Sequence, residues 1–301
     1  MKNTADFVVL GSSNVDYVAK VPHLPVGGET IQSDKFSIFA GGKGANQAAA
    51  IAKSNKKVVY IGAVGQDNNG NFLKEEMKKS GVNIDYVFEK ETSTGVSLIA
   101  TSKKGENFII THAGANKKLT KSDIDKIVPV LEKSKYVLLH WDIEKDVGEY
   151  FIKKAKELKN KIILNLAPVR PISENILKLV DYLIVNEIEA SYLSNLEVKN
   201  IEDSKKAGRI LLNQVANIII TLGEKGVVIV NKDFETHIAA EKIEAVDSTA
   251  AGDTFIGVFA SQLIEENILN AVRAANKAAA ISVTRYGAMP SIPELAEYTN
   301  K

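Results

Sequence analysis

The chain has 301 residues, 45% of them hydrophobic and 25% charged, with 38 basic residues against 37 acidic and a net charge of +1. That is globular composition with length for a large core, and its balanced charge carries no electrostatic footprint for nucleic acid or an acidic membrane surface. Cysteine is absent, which excludes disulfides, cysteine nucleophiles and thiolate metal sites. No apolar run reaches bilayer length, and the opening MKNTADFVVLG lacks the apolar core of a signal peptide, so a cytoplasmic protein is expected.

In chain order, FVVLGSSNVDYVAKV begins as a buried strand and passes into alternation. The alanine-rich KGANQAAAIAK (43–53) reads as a helix, VVYIGAV (58–64) as a strand, and NFLKEEMKKSG (71–81) as a helix closed by glycine. YVFEK and then TGVSLIATSKKGENFIITHAG (94–114) are rich in β-formers, the second a hairpin around SKKGEN. From Thr120 the order becomes regular. Helices SDIDKIVPVLEKS, EYFIKKAKELKN, ENILKLV and EDSKKAGRILLNQ precede strands YVLLHW, KIILNL, YLIV and NIIITLG. Strands apolar on both faces, separated by amphipathic helices, predict a parallel sheet covered on both sides. A hairpin-like GVVIVNKDFETHIAA and two helices near 251–266 and 268–284 complete one α/β domain, with a small β appendage from about 16–38 and 93–112.

Ligands of open α/β sheets collect at strand carboxyl ends beside helix N-termini. Asp253, in VDSTAAGDTF, stands at such a junction. The small side chains of Ala250, Ala251 and Gly252 leave the first helical amides open to a phosphate, and a carboxylate there suits a base for an attacking hydroxyl. Capping and close packing explain this stretch slightly better when it is taken alone. FAGGKGANQAAA sets Gly41, Gly42 and Gly44 around Lys43 at a helix start, but meets neither the Walker A spacing nor the dinucleotide fingerprint. GSSNVD offers Asn14 and Asp16 for sugar hydroxyls or for Asx turns. NEIEA puts Asn186 and Glu189 at a strand end, for metal-bound water or for helix capping. The histidines at 23, 112, 140 and 237 have no metal-ligand spacing, and the lysine-rich helices read as solvated faces.

Together, GSSNVD, PVGGET, GGKGANQA, the TG…GEN hairpin, GAN with KLT, NLAP, VNEIEA, TLGEKG, VDSTAAGDTF and AISVTRYGAMPSIP resemble the ribokinase branch of the PfkB carbohydrate kinase family, nearly end to end. The pair GGKGANQA and STAAGDTF, in this order, is highly specific. The resemblance implies a single domain over 1–301: a three-layer αβα sandwich with a mainly parallel central sheet and a small β-sheet lid through which such proteins often dimerise. It implies ATP-dependent phosphorylation of a terminal sugar hydroxyl, D-ribose to ribose 5-phosphate before deoxyribose, another pentose or a nucleoside. Asp253 would be the base, and the amides of Ala250, Ala251, Gly252 and Asp253 the anion hole. Asn14, Asp16, Gly42, Lys43 and Asn46 match sugar-binding positions. Thr221, Gly223 and Gly226 match the nucleotide loop, Asn276 an adenine contact, and Asn186 and Glu189 the element associated with phosphate and magnesium. Asp247 and Thr249, with Ser282, Arg285, Gly287 and Ser291, match a monovalent cation loop for potassium.

The chain departs from the pattern in one important place. Where ribokinases usually carry Gln-x-Glu, this sequence has His140-Trp141-Asp142, so the sugar-binding carboxylate is one methylene shorter and an indole stands beside it. Ile256 replaces the asparagine that commonly follows TF, and NLAP replaces NPAP. A catalytically silent sugar- or nucleotide-binding regulator is disfavoured by the intact Asp253, Gly252 and Lys43. A nicotinamide oxidoreductase is disfavoured by the missing fingerprint.

Overall fold

The computed structural model describes residues 5–299 except residue 105. The glycine of the SKKGEN turn, the first residues of the opening stretch and the last two residues therefore lie outside the described residues. The strands are β1 (Phe7–Leu10), β2 (Asn14–Val21), β3 (Lys35–Gly41), β4 (Val58–Gly65), β5 (Asn83–Lys90), β6 (Gly95–Ser102), β7 (Asn107–His112), β8 (Tyr136–His140), β9 (Lys161–Asn165), β10 (Tyr182–Asn186), β11 (Asn217–Thr221), β12 (Val227–Asn231) and β13 (Glu235–Ile238). The helices are α1 (Lys43–Lys53), α2 (Asn68–Lys79), α3 (Lys121–Asp125), α4 (Val128–Leu131), α5 (Lys145–Glu157), α6 (Glu174–Leu177), α7 (Glu187–Ser194), α8 (Ile201–Leu211), α9 (Ala251–Gln262), α10 (Ile268–Ser282) and α11 (Leu295–Thr299).

A nine-stranded sheet runs β13-β12-β11-β10-β9-β8-β1-β4-β5, and a four-stranded sheet runs β3-β2-β6-β7. The large sheet is parallel from β11 to β5, and β12 and β13 turn back antiparallel at its edge. Strands such as β1, β4 and β8 are buried along their whole length. One apolar layer gathers Val8, Leu139 and Phe151, and the other gathers Phe7, Ile51 and Phe259 on the opposite side of the sheet. The run of alanines in α1 is buried and packs against α9, where Gly257 leaves only 2.5 Å between a notional Cβ and the Cβ of Ala50. Small residues thus allow these two site-bearing helices to touch.

Two helices differ from the sequence expectation. SDIDKIVPVLEKS is not continuous but divides into α3 and α4. Pro129 cannot donate to the carbonyl four residues back and its ring crowds it, so the chain restarts with proline in the first turn. ENILKLV forms only the single turn α6. The strands of the small sheet lie at 14–21, 35–41, 95–102 and 107–112, the first two reaching beyond 16–38 and the last two within 93–112.

Candidate active site

Strand order reverses between β1 and β8, since β1 is flanked by β4 on one side and β8 on the other, both parallel. Crevices outside the carboxyl ends of strands at such a reversal are where open α/β sheets hold ligands. The loops leaving β1 and β8 meet there. His140 is fully buried, and its Nε2 accepts the Ser12 amide at 2.8 Å. Burial pushes the imidazole down to about 3, with Lys43 adding to the fall and the Ala167 carbonyl opposing it. The ring stays neutral and pins the Ser12–Asn14 loop. A Cβ on Gly42, whose φ is 89°, would lie 2.5 Å from the Ser13 Cα, and one on Gly44 would lie 2.6 Å from the Gly11 Cα. These glycines bring the start of α1 against the first loop, so the packing account of this cluster holds alongside any ligand contact.

Gly41 serves another purpose: a Cβ there would stand 2.1 Å from Asp16 Oδ2. Asp16 lies on β2 opposite Phe39 of β3 and Ser97 of β6, on the lid face that looks toward the large sheet. Burial pushes its carboxyl up to about 6; the Ser97 hydroxyl opposes the rise, Asp253 adds to it, and Lys43 opposes it. Asp16 and Asp253 thus repel one another across the crevice, and the Lys43 ammonium offsets the charge of both.

Asp253 sits in the first turn of α9 and is itself buried. Asn46 Nδ2 donates to its Oδ2 at 3.0 Å and Gln47 Nε2 to its Oδ1 at 3.0 Å. Burial raises its carboxyl, opposed by the Lys43 ammonium and by these two donors. Gln47 was not legible as a site residue. It is fully buried, extends on to Asn165 Oδ1 at 3.3 Å, and leaves its own Oε1 without a partner, as Asn46 leaves Oδ1. Ahead of the helix, Ala250 adopts φ 61°, a left-handed conformation costly for a residue with a Cβ. The Ala251 amide is engaged by the Ser248 carbonyl at 3.3 Å, while Gly252 and Asp253 stand in the turn where helical amides have no partner four residues back. A Cβ on Gly252 would meet nothing within 4 Å, so its open face is toward free space.

That space is a cavity of about 250 Å³ lined among others by Lys43, Asn186, Glu189, Thr221, Gly252 and Asp253. Asn186 and Glu189 form a reciprocal capping box, each side chain accepting the other's backbone amide at 2.9 Å. Capping and cavity lining coexist here. Burial raises the Glu189 carboxyl, opposed by the Asn186 amide and Lys43. Asn186 pairs in register with Thr221 across β10 and β11. Gly223 (φ 53°) and Gly226 (φ 96°) shape the following turn outside this cavity. A Cβ on Gly226 would lie 2.0 Å from the Ile238 carbonyl, and Asn276 donates to the Ala239 carbonyl at 2.7 Å. Gly226 and Asn276 therefore both meet residues 238–240, whereas Thr221 lines the cavity and Gly223 faces open space.

Of the residues expected in a cation loop, Asp247, Thr249 and Gly287 are joined by hydrogen bonds. Asp247 Oδ1 accepts the Thr249 amide at 2.9 Å and its hydroxyl at 2.6 Å, and Oδ2 accepts the Gly287 amide at 3.0 Å. The Ser282 carbonyl accepts the Arg285 amide at 3.1 Å, the Arg285 guanidinium turns away to Glu297, and Ser291 closes on Ala288. Among the described residues no cluster of three or more His, Asp or Glu could hold a metal ion.

Asn14 and Asp142 share a second cavity of about 440 Å³ with Arg170, Lys117 and His112. Burial raises the Asp142 carboxyl, opposed by Arg170, Lys43 and Lys117. Trp141 does not stand beside the ligand space. It is 2% exposed, within 3.1 Å of a notional Cβ on Gly148, and belongs to the core. The indole is drawn inward because successive side chains leaving the strand end point to opposite sides.

A largely parallel sheet buried between two apolar layers and a buried carboxylate at a helix N-terminus, lining a polar cavity, suit a small-molecule kinase. The chain belongs to the pfkB family of carbohydrate kinases, whose model matches residues 4–295. It is 35% identical to the ribokinase of Haemophilus influenzae over 292 residues, covering 96% of this chain and 95% of the relative. It is 34% identical to the deoxyribokinase of Salmonella typhi over 297 residues, covering 97% of each. The solved structure of Arabidopsis thaliana ribokinase complexed with ribose and ATP superposes with a TM-score of 0.90 at 29% identity, covering 98% of this chain and 97% of that one.

Proposed function

We propose that the chain transfers the γ-phosphoryl group of ATP to the terminal hydroxyl of D-ribose, giving ribose 5-phosphate. The observation that carries this reading is Asp253, buried at a helix N-terminus with both carboxylate oxygens held by Asn46 and Gln47. Asp253 takes the proton as the sugar oxygen attacks phosphorus, and the first amides of α9 meet the charge of the migrating group. Asn46 Oδ1, a buried acceptor without a protein partner, suits a sugar hydroxyl. Asp16, Asn14 and Lys43 supply the other polar contacts, and closure of the lid excludes water that would otherwise receive the phosphoryl group. The ribokinase relatives support ribose, and the similarity to a deoxyribokinase makes 2-deoxyribose the second candidate. An ADP-release assay over a panel of pentoses, deoxyribose, hexoses and nucleosides tests this. A hexose or nucleoside ranked first, or no turnover with any of them, would overturn it.

Magnesium would be held chiefly by the nucleotide phosphates, with Glu189 and Asn186 contributing through water. One buried carboxylate beside Lys43 fits a cation that keeps most of its waters. Bound there, it would neutralise charge on the phosphates.

The loop at Asp247 offers carboxylate oxygens, hard donors of the kind that suit alkali and alkaline-earth cations, and potassium is the ion the family resemblance implies. Because Asp247 and Thr249 immediately precede Ala250, an ordered loop fixes the amides of α9. Potassium is expected to raise activity above that in an equal concentration of a bulky organic cation, with magnesium saturating. Equal rates in the two salts would remove the cation site.

The outward face of the lid is apolar. Register places Phe36 and Ile38 of β3, Leu98 of β6, and Phe108 and Ile110 of β7 on the face opposite Asp16, and Phe36, Phe108 and Ile110 are 58%, 58% and 54% exposed. So large an apolar face suits a second copy packed lid to lid. Light scattering is expected to give twice the chain mass, and Phe108→Asp with Ile110→Asp to give monomers. A monomeric parent chain at assay concentration would exclude the dimer.

A further inference from the structure

We propose that Arg170 is a sugar-positioning residue, acting through Asp142 to fix the end of the substrate opposite the hydroxyl that is phosphorylated. This rests on the sugar-kinase reading above and deepens it. Arg170 Nη2 donates to Asp142 Oδ1 at 2.9 Å, and both side chains line the 440 Å³ cavity that also contains Asn14. Asp142 has lost a methylene relative to the glutamate expected at its position. The indole next to it is buried in the core, and the side chain that meets the carboxylate in the cavity is the Arg170 guanidinium. The two loops are tied independently of that contact: the Trp141 amide donates to the Ala167 carbonyl at 3.1 Å, three residues before Arg170. Arg170 is therefore delivered to the cavity by backbone bonding and is not a stray surface side chain.

The chemistry follows from the geometry. A carboxylate with one oxygen held by a guanidinium presents its second oxygen in a fixed direction, as an acceptor for a sugar hydroxyl. The planar, always-charged guanidinium thus sets the direction of that acceptor without itself touching the sugar. An exposed ion pair of this kind contributes little to folding stability. Its value lies in orientation, which a lysine, with a single mobile ammonium, reproduces only in part.

The test is a set of steady-state measurements on the full chain with the sugar that ranks first for the unmodified protein, so that the identity of the substrate is decided before any variant is made. Arg170→Gln is expected to raise the sugar KM by about tenfold, the loss of roughly one hydrogen bond, with kcat and the ATP KM changed by less than about twofold. Arg170→Lys should recover part of that loss. Asp142→Ala should raise the sugar KM by at least about tenfold. In the Asp142→Ala background, Arg170→Gln should add less than about twofold, because Arg170 acts through the carboxylate. A sugar KM unchanged in Arg170→Gln, a fall confined to kcat, or effects of the two substitutions that multiply independently would each overturn the proposal. Thermal midpoints of the variants, expected to match the parent within a few degrees, separate recognition from misfolding. A midpoint that falls much further, together with losses in both the sugar and the ATP KM, assigns Arg170 a purely structural role and also overturns it.

Discussion

Asp253→Asn is expected to bind ATP and sugar but to turn over roughly 10²–10⁴-fold more slowly, the usual contribution of a positioned general base. The substitution preserves shape and removes the proton acceptor. It also places an amide N–H₂ where Asn46 and Gln47 now donate. The conflict has a local remedy, because the Gln47 Oε1 has no partner and the side-chain amide can turn to present it. Folding should therefore survive, and the loss should fall on kcat. The measurement is kcat at saturating substrates beside calorimetric affinities for sugar and nucleotide. Turnover close to that of the parent chain would remove Asp253 as the base; lost sugar binding would make it a binding group instead.

The carboxylate was legible in the sequence because its chemistry depends on neighbours along the chain: small residues, then an acid, at a strand-to-helix junction. Its supporting side chains were not. Residues adjacent on a helix ordinarily face different directions, so Asn46 and Gln47 would not be read as holding one group. They do so because α1 begins directly beneath α9, an approach set by Gly257 and the alanines of α1. His140 and Arg170 were hidden for a related reason. His140 acts across the switch between β1 and β8 on a residue 128 positions away, and Arg170 acts from the loop after β9 on the loop after β8, 28 positions away. Burial was misjudged at Trp141, where alternation at a strand end decides between core and cavity. The parallel sheet was visible as apolar runs of fixed spacing, whereas the break at Pro129 was visible only as a single residue inside an otherwise helical pattern.

Asp16 carries the second large effect, and its direction depends on pH. Its carboxyl is raised to about 6 by burial, with Asp253 adding to the rise while the Ser97 hydroxyl and Lys43 oppose it. The folded chain therefore binds a proton more tightly at this position than the unfolded chain does. Its stabilising share is complete below the unfolded value of 3.8 and is lost as pH rises through about 6. At neutral pH the ionised group is a liability to the free protein and, as an acceptor only, an asset to a sugar hydroxyl that donates to it. Asp16→Asn is thus expected to raise the thermal midpoint without sugar at pH 7.5, and to weaken sugar binding by about 2 to 3 kcal/mol, the loss of charge-assisted hydrogen bonds. In the parent chain, sugar KM should climb below pH 6 by up to about tenfold per unit, and in Asp16→Asn only the smaller rise that Asp142 supplies, its carboxyl also raised by burial, should remain. Asp253 titrates in the same crevice and would act mainly on kcat, so the two are separated by following KM and kcat across pH. A variant with a lower midpoint and an unaltered sugar KM would place Asp16 in the scaffold of the lid and outside the binding of substrate.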